Sequence, residues 1–386
     1  MFEEEIRFIR SLYGQGRVPL HEPSFFGNER KYLDECVDST YVSSVGPFVD
    51  RFEHDVAAYT GAARAVVCVN GTSALHMALL LSGVERGDEV VTQPLTFVAT
   101  CNAISYTGAV PVFVDVDADT LGLSPVKLRT WLESNADLSG GECRNRTTGR
   151  RIKACVPMHT FGHPAKVDEI ASVCREFGLA LVEDAAEAMG SLFHGRHAGT
   201  FAGVGALSFN GNKTITTGGG GMLLFQDADL GAYAKHVTTQ ARVPRGWAFV
   251  HDQVGYNYRM PNINAALGCA QLECLDAILA DKRETAEAYK AFFAGRRGFS
   301  FVHEPDGARS NYWLNAVLLE SREMRDAFLG ETNGCGVSTR PAWELMNRLP
   351  MFGECQRGDI ANALDIEARL VNLPSGVRRK EMSCVS

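Results

Sequence analysis

Lys213 lies within "SFNGNKTITTGGGGM", the run Ser208–Met222. Its neighbours are mostly small or apolar, and four consecutive glycines, Gly218 to Gly221, carry no side chains that could crowd an amine. Withdrawal from water lowers an amine's affinity for its proton, so the free amine can attack a carbonyl and form an imine. The best-known partner of such a lysine is pyridoxal 5′-phosphate (PLP), whose aldehyde condenses with the amine. Such a site needs three further parts: a carboxylate for the pyridine nitrogen, a cup for the phosphate, and a flat group against the ring.

Each part has a candidate. Asp184 in "LVEDAAEAMGS" ends a predicted strand, where open α/β sheets hold ligands, and its small neighbours let a ring approach. A helix N-cap would account for the same Asp. The cup is "NGTSAL": Gly71 permits a tight turn, while Thr72 and Ser73 offer hydroxyl and N–H groups at a helix N-terminus, which favours anions. A plain capped helix reads the same way. Ser208 adds a hydroxyl, and Phe97 in "PLTFVATCN" is the flat group unless it belongs to the core.

The elements that must position these residues follow a βαβ rhythm. Strands are predicted at 63–69, 88–93, 110–116, 152–159, 179–184, 205–210 and 220–225, with helices at 72–83, 96–108 and 168–178. Near-continuous apolar strands of this kind imply a largely parallel sheet covered on both faces. From 262 to 295 a long amphipathic helical stretch leads toward a smaller C-terminal unit with a strand at 313–319. The expected division is a large domain, 1–255, and a smaller α+β domain, 256–386. The glycine run lacks the G-x-G-x-x-G spacing of a dinucleotide fold.

Composition narrows the function classes. The formal net charge of −8 disfavours nucleic acid as a partner, and the basic "RNRTTGRR" at 144–151 reads as a solvated hairpin. No apolar run reaches the ~20 residues of a membrane span, and the acidic N-terminus has no signal-peptide character, so a cytoplasmic protein without membrane contact is expected. The eleven cysteines form no C-x-x-C pair and read as free thiols filling the core. No metal site is expected, because "HTFGHP" puts His159 and His163 in a loop.

"NGTSALHMAL", "PLTFVATCNAI", "VEDAAEAMGS" and "SFNGNKTITTGGGGM", with "FVDRFE", "GYNYRM" and "TRPAW", resemble the signatures of the DegT/StrS family of sugar aminotransferases. The likeness runs along nearly the whole chain. It implies the PLP-dependent transferase fold of type I, like aspartate aminotransferase. By this resemblance Lys213 is the lysine bonded to PLP, Asp184 the partner of the pyridine nitrogen, and Phe97 the stacking ring. Thr72, Ser73 and Ser208 fall at phosphate-binding positions. Asn257 of "GYN" would reach the phosphate of a second subunit, which implies a homodimer with shared sites. Glu187 departs from the His or Gln of many relatives and lies near the cofactor. Either a protonated carboxyl or one facing solvent would be tolerated there.

The resemblance further implies glutamate as amino donor and a nucleotide-linked 4-keto-6-deoxy sugar as acceptor, with the legionaminic-acid type of pathway the nearest likeness. Arg259 and Arg340 are candidates for a diphosphate, or for structural ion pairs. His159 is a candidate for the site floor, or a packed core histidine. Two other readings remain at this stage. One is a different fold-type-I enzyme, such as a lyase or a desulfurase using Cys335. The other is a PLP-binding regulator without turnover. Relatives that dehydrate sugars carry histidine in place of the lysine, which Lys213 argues against.

Overall fold

The computed structural model describes residues 1–378; residues 379–386 of the expected C-terminal unit lie outside that range. Seven short runs pair into one sheet: β1 (Arg64–Cys68), β2 (Glu89–Thr92), β3 (Val110–Phe113), β4 (Ile152–Val156), β5 (Ala180–Asp184), β6 (Val204–Ser208) and β7 (Gly221–Phe225). Their order is β1-β7-β6-β5-β4-β2-β3. β5 pairs in parallel with β6 and β4, and β2 in parallel with β4 and β3. β7 runs antiparallel to both β1 and β6. The link from β6 to β7 holds no helix, and a parallel return would need such a crossover.

Successive residues of β1 feed two cores. Ala65 and Val67 pack with Phe48, Phe52 and Val56 of the helix Pro47–Thr60. Val66 and Cys68 pack with Ala74, Leu75 and Ala78 of the helix Gly71–Leu81. Burial on both faces is why this strand shows no polar alternation.

The amphipathic stretch at 262–295 is two helices, Asn262–Glu273 and Leu275–Phe293, meeting at a 59° bend around Cys274. The first gives Ala265, Ala266 and Cys269 to the core of the large sheet. The second gives Ala286, Tyr289 and Phe293 to another core, built with Val317, Phe328 and Val371. The changeover between cores falls inside the second helix, because Leu275 and Ile278 still pack in the large-sheet core. The N-terminal helix Glu3–Tyr13 joins the second core through Ile6 and Ile9, so the chain start packs on the C-terminal unit. A further cluster joins Leu95, Leu121 and Phe161 of the sheet domain to Trp313, Ala342 and Leu345 of the C-terminal unit.

Among the described residues, no single helix is long and apolar enough to cross a membrane. Seven cysteines, Cys36, Cys68, Cys101, Cys143, Cys155, Cys174 and Cys269, are buried free thiols; Cys335 is free and exposed, and Cys274 does not belong to the free set.

β1, β5 and β6 end at one edge of the sheet, and β7 begins there. Two glycines make that edge close. A Cβ on Gly71 would lie 2.8 Å from the Ser208 Cβ, and one on Gly221 would lie 2.4 Å from the Asn70 carbonyl oxygen. The glycine run is thus needed where β7 passes against the Asn70–Gly71 turn. Gly221→Ala should destabilise the protein by ~3 kcal/mol, the upper end of overpacking costs, because the clash is with backbone. Gly219→Ala meets nothing within 4 Å and should stay within ~1 kcal/mol of wild type in denaturant unfolding.

Candidate active site

A cavity of about 340 Å³ opens at this edge. Lys213, Asp184, Glu187, Gly71, Thr72 and Ser208 all line it, together with Phe97. Each arrives from a different element end. Gly71 and Thr72 open the helix after β1, Asp184 closes β5, Ser208 closes β6, and Lys213 sits in the link to β7.

The Lys213 side chain is 13% exposed, and its Nζ lies 3.2 Å from the Glu187 Oε1. The same Nζ stands 4.0 Å above the ring centre of Trp313. The amine therefore rests between a carboxylate and an aromatic face, both of which favour a cation. Glu187 faces inward, contrary to the solvent-facing alternative: its Oε2 accepts from the Phe161 N–H at 2.9 Å. Burial pushes the Glu187 carboxyl up to about 7, against the opposing pull of Lys213.

Asp184 is buried as well. Its Oδ2 accepts from the Thr100 hydroxyl at 2.6 Å and its Oδ1 from the Ala186 N–H at 3.1 Å. Burial raises its pKa, and the Thr100 bond opposes that. Thr100 lies one helical turn after Phe97, so a single helix start, Val98–Tyr106, places both. Phe97 is 48% exposed, so it is a cavity wall rather than core.

At the helix Gly71–Leu81, Asn70 caps the first turn by accepting the Ser73 N–H at 2.8 Å. This occupies the Ser73 N–H, and Ser73 does not line the cavity. The N–H groups of Gly71 and Thr72 have no intrahelical acceptor and, with the helix dipole, leave an anion site beside the Ser208 hydroxyl.

Besides Ser73, five expected residues do not line the cavity: His159, Asn257, Arg259, Arg340 and Cys335. His159 is fully buried behind it; its Nδ1 accepts from the Ala165 N–H, so Nε2 carries the proton donated to Glu183 at 3.0 Å. It is the packed core histidine. Arg259 donates to Asn257 at 3.1 Å, and Asn257 is exposed. Arg340 turns to the Asn333 side chain and the Thr339 carbonyl, at 2.9 and 2.7 Å. Cys335 is exposed beyond the helix Arg322–Gly334 and does not line the cavity, which removes the basis of the desulfurase reading.

Conversely, Trp313 and Trp343 line the cavity without having been singled out from the sequence. Trp313 is the first residue of the predicted strand 313–319, and Trp343 belongs to "TRPAW", whose arginine drew the attention.

The residues present fit PLP. They supply an enclosed amine, a buried carboxylate, free N–H groups at a helix start, and an exposed aromatic ring in one cavity. Because the folded protein holds the Glu187 proton more tightly than the unfolded chain, that group's stabilising contribution is complete below its ordinary value of 4.5 and is lost as pH rises through about 7. Without added cofactor, the unfolding free energy of wild type should therefore fall relative to Glu187→Gln between about pH 5 and pH 8 in denaturant titrations.

Comparison with known proteins agrees with this geometry. The model of the DegT/DnrJ/EryC1/StrS aminotransferase family matches residues 25–383. The chain is 38% identical over 360 residues to the GDP-perosamine synthase of Escherichia coli O157:H7, covering 93% of each protein. It is 36% identical over 362 residues to the GDP-perosamine synthase of Vibrio cholerae, covering 93% of this chain and 94% of that one. Its fold matches the aminotransferase TlmJ from Streptoalloteichus hindustanus with a TM-score of 0.84 at 30% identity, over 93% of this chain and 94% of TlmJ. The architecture is thus that of the fold-type-I aminotransferases, and the chain belongs to the DegT/DnrJ/EryC1/StrS aminotransferase family.

Proposed function

We propose that this aminotransferase uses PLP to move an amino group from glutamate onto the 4-keto carbon of a nucleoside-diphosphate 4-keto-6-deoxy sugar in surface-sugar biosynthesis. It works as a cytoplasmic homodimer. The observation that carries this reading is the meeting of Lys213, Asp184 and the start of the helix Gly71–Leu81 in one cavity. The names of the two GDP-perosamine synthases favour a GDP-linked acceptor as the first to assay. The N-acetylated acceptors of the legionaminic-acid type are the second.

When bound, PLP supplies a carbonyl for an amine and a ring that withdraws electrons. Asp184 would hold that ring's nitrogen in its protonated form, with Thr100 fixing the carboxylate. Gly71, Thr72 and Ser208, which line the cavity, would hold the phosphate. Lys213 would be the base that takes a proton from the donor carbon in the first half of the reaction and gives one to the acceptor carbon in the second. Glu187 at 3.2 Å stabilises the resulting ammonium. Asn257, exposed and outside its own cavity, is assigned to the phosphate site of the second subunit.

Absorbance tests this reading. With PLP added, the protein should show a visible band that moves to the ultraviolet with glutamate and returns with GDP- or UDP-linked 4-keto-6-deoxy sugars. Lys213→Ala should lower transfer by at least ~10²-fold, the scale of a lost general base. A band indifferent to glutamate would contradict the assigned donor.

A further inference from the structure

Most groups lining the cavity are engaged. Lys213 faces Glu187, Asp184 takes the Thr100 hydroxyl, and Asn70 caps its own helix. Trp313 is also engaged: its indole N–H donates to the Asn212 carbonyl at 2.6 Å, and its ring lies under the Lys213 amine. Phe97 is the wall assigned to the cofactor ring. Trp343 is different. It lines the same cavity and is half-buried, and among the described residues its indole N–H has no hydrogen-bond partner.

Its placement is firm. The ring packs on Phe161 at 4.9 Å and 38°, and approaches Phe97 at 6.2 Å. Phe161 is itself held in the left-handed region, φ 57°, with its N–H on Glu187. On the chain side, Ala342 and Leu345 are buried in the cluster that joins the C-terminal unit to the sheet domain. A half-buried indole held against Phe161 and lining the cavity, with an N–H that no hydrogen bond among the described residues uses, suits a ligand that is apolar on one side and hydroxylated at its rim.

A 6-deoxy sugar has this character: the C5 hydrogen and the methyl group form an apolar side next to the reacting C4, and hydroxyls ring the rest. Resting on the acceptor assigned above, we propose that Trp343 is the platform for that apolar side. It is a specificity-determining residue for the 6-deoxy acceptor and has no part in the donor half of the reaction. In "TRPAW", Trp343 rather than Arg340 would then be the residue that meets substrate.

The test uses the PLP-loaded enzyme and two variants, Trp343→Ala and Trp343→Phe. The probes are the free nucleoside diphosphate, its conjugate with rhamnose (a 6-deoxyhexose), and its conjugate with mannose (the 6-hydroxy counterpart), in guanosine and uridine series. Titration should show Trp343→Ala weakening the 6-deoxyhexose conjugate by roughly tenfold, with smaller loss for the 6-hydroxy conjugate and none for the free diphosphate. Trp343→Phe should recover most of the affinity, and the spectral response to glutamate should stay within about twofold in both variants. Equal loss on all three probes, an unchanged affinity, or a matching loss in the glutamate response would overturn the platform. A wild-type enzyme that answers glutamate but binds no nucleotide sugar would overturn the assigned acceptor, and the platform with it.

Discussion

One amine faces two buried carboxylates, and the site is organised around that imbalance. Asp184 and Glu187 leave the same strand end and are both buried. Desolvation raises each of them, and Lys213 opposes the rise in each. The protein supplements the amine with donors: Thr100 on Asp184, and the Phe161 N–H on Glu187. The Glu187 bond accompanies a Phe161 backbone in the left-handed region, one of the few non-glycine residues found there. Such strain persists only where surrounding contacts over-determine it.

The second unit supplies part of that determination. Asn311 donates to the carbonyls of Glu187 and Met189, at 2.8 and 2.9 Å, and so grips the segment that carries the acid. The next residue but one, Trp313, places its ring under the lysine. The C-terminal unit is therefore a wall and a brace of the site, and the shared cluster of Phe161, Trp313 and Leu345 is what keeps it in register. This explains why a cavity formed at the edge of one sheet depends on side chains more than a hundred positions further along.

How much of this was legible in the sequence follows from where each signal resides. Strand ends, the capped turn at Asn70 and the lysine are local features, and spacing reveals them. The sheet strands were readable because both faces are buried, which makes them continuously apolar. The break at Cys274 was not, because apolar helical spacing continues across it and only tertiary packing turns the chain. The seat of the helix Glu3–Tyr13 on the C-terminal core depends on contacts with residues far along the chain, which no local pattern encodes. Within the site, charge drew attention to Arg259 and Arg340, while the fold gave the cavity to two tryptophans. A charged residue is easy to notice, but an exposed arginine is satisfied by any nearby carbonyl, as Arg340 is.

The proposed chemistry requires Lys213 to be the residue bonded to the cofactor. Lys282 is the natural competitor: it is fully buried, with Nζ on the Ser375 and Trp313 carbonyls and on His21, and burial lowers its pKa to about 7. Borohydride reduction of the PLP-loaded protein, followed by peptide mapping by mass spectrometry, separates the two. Reduced cofactor is expected on the peptide containing Lys213 and none on that containing Lys282. Label on Lys282, or cofactor released unbonded after reduction, would contradict it.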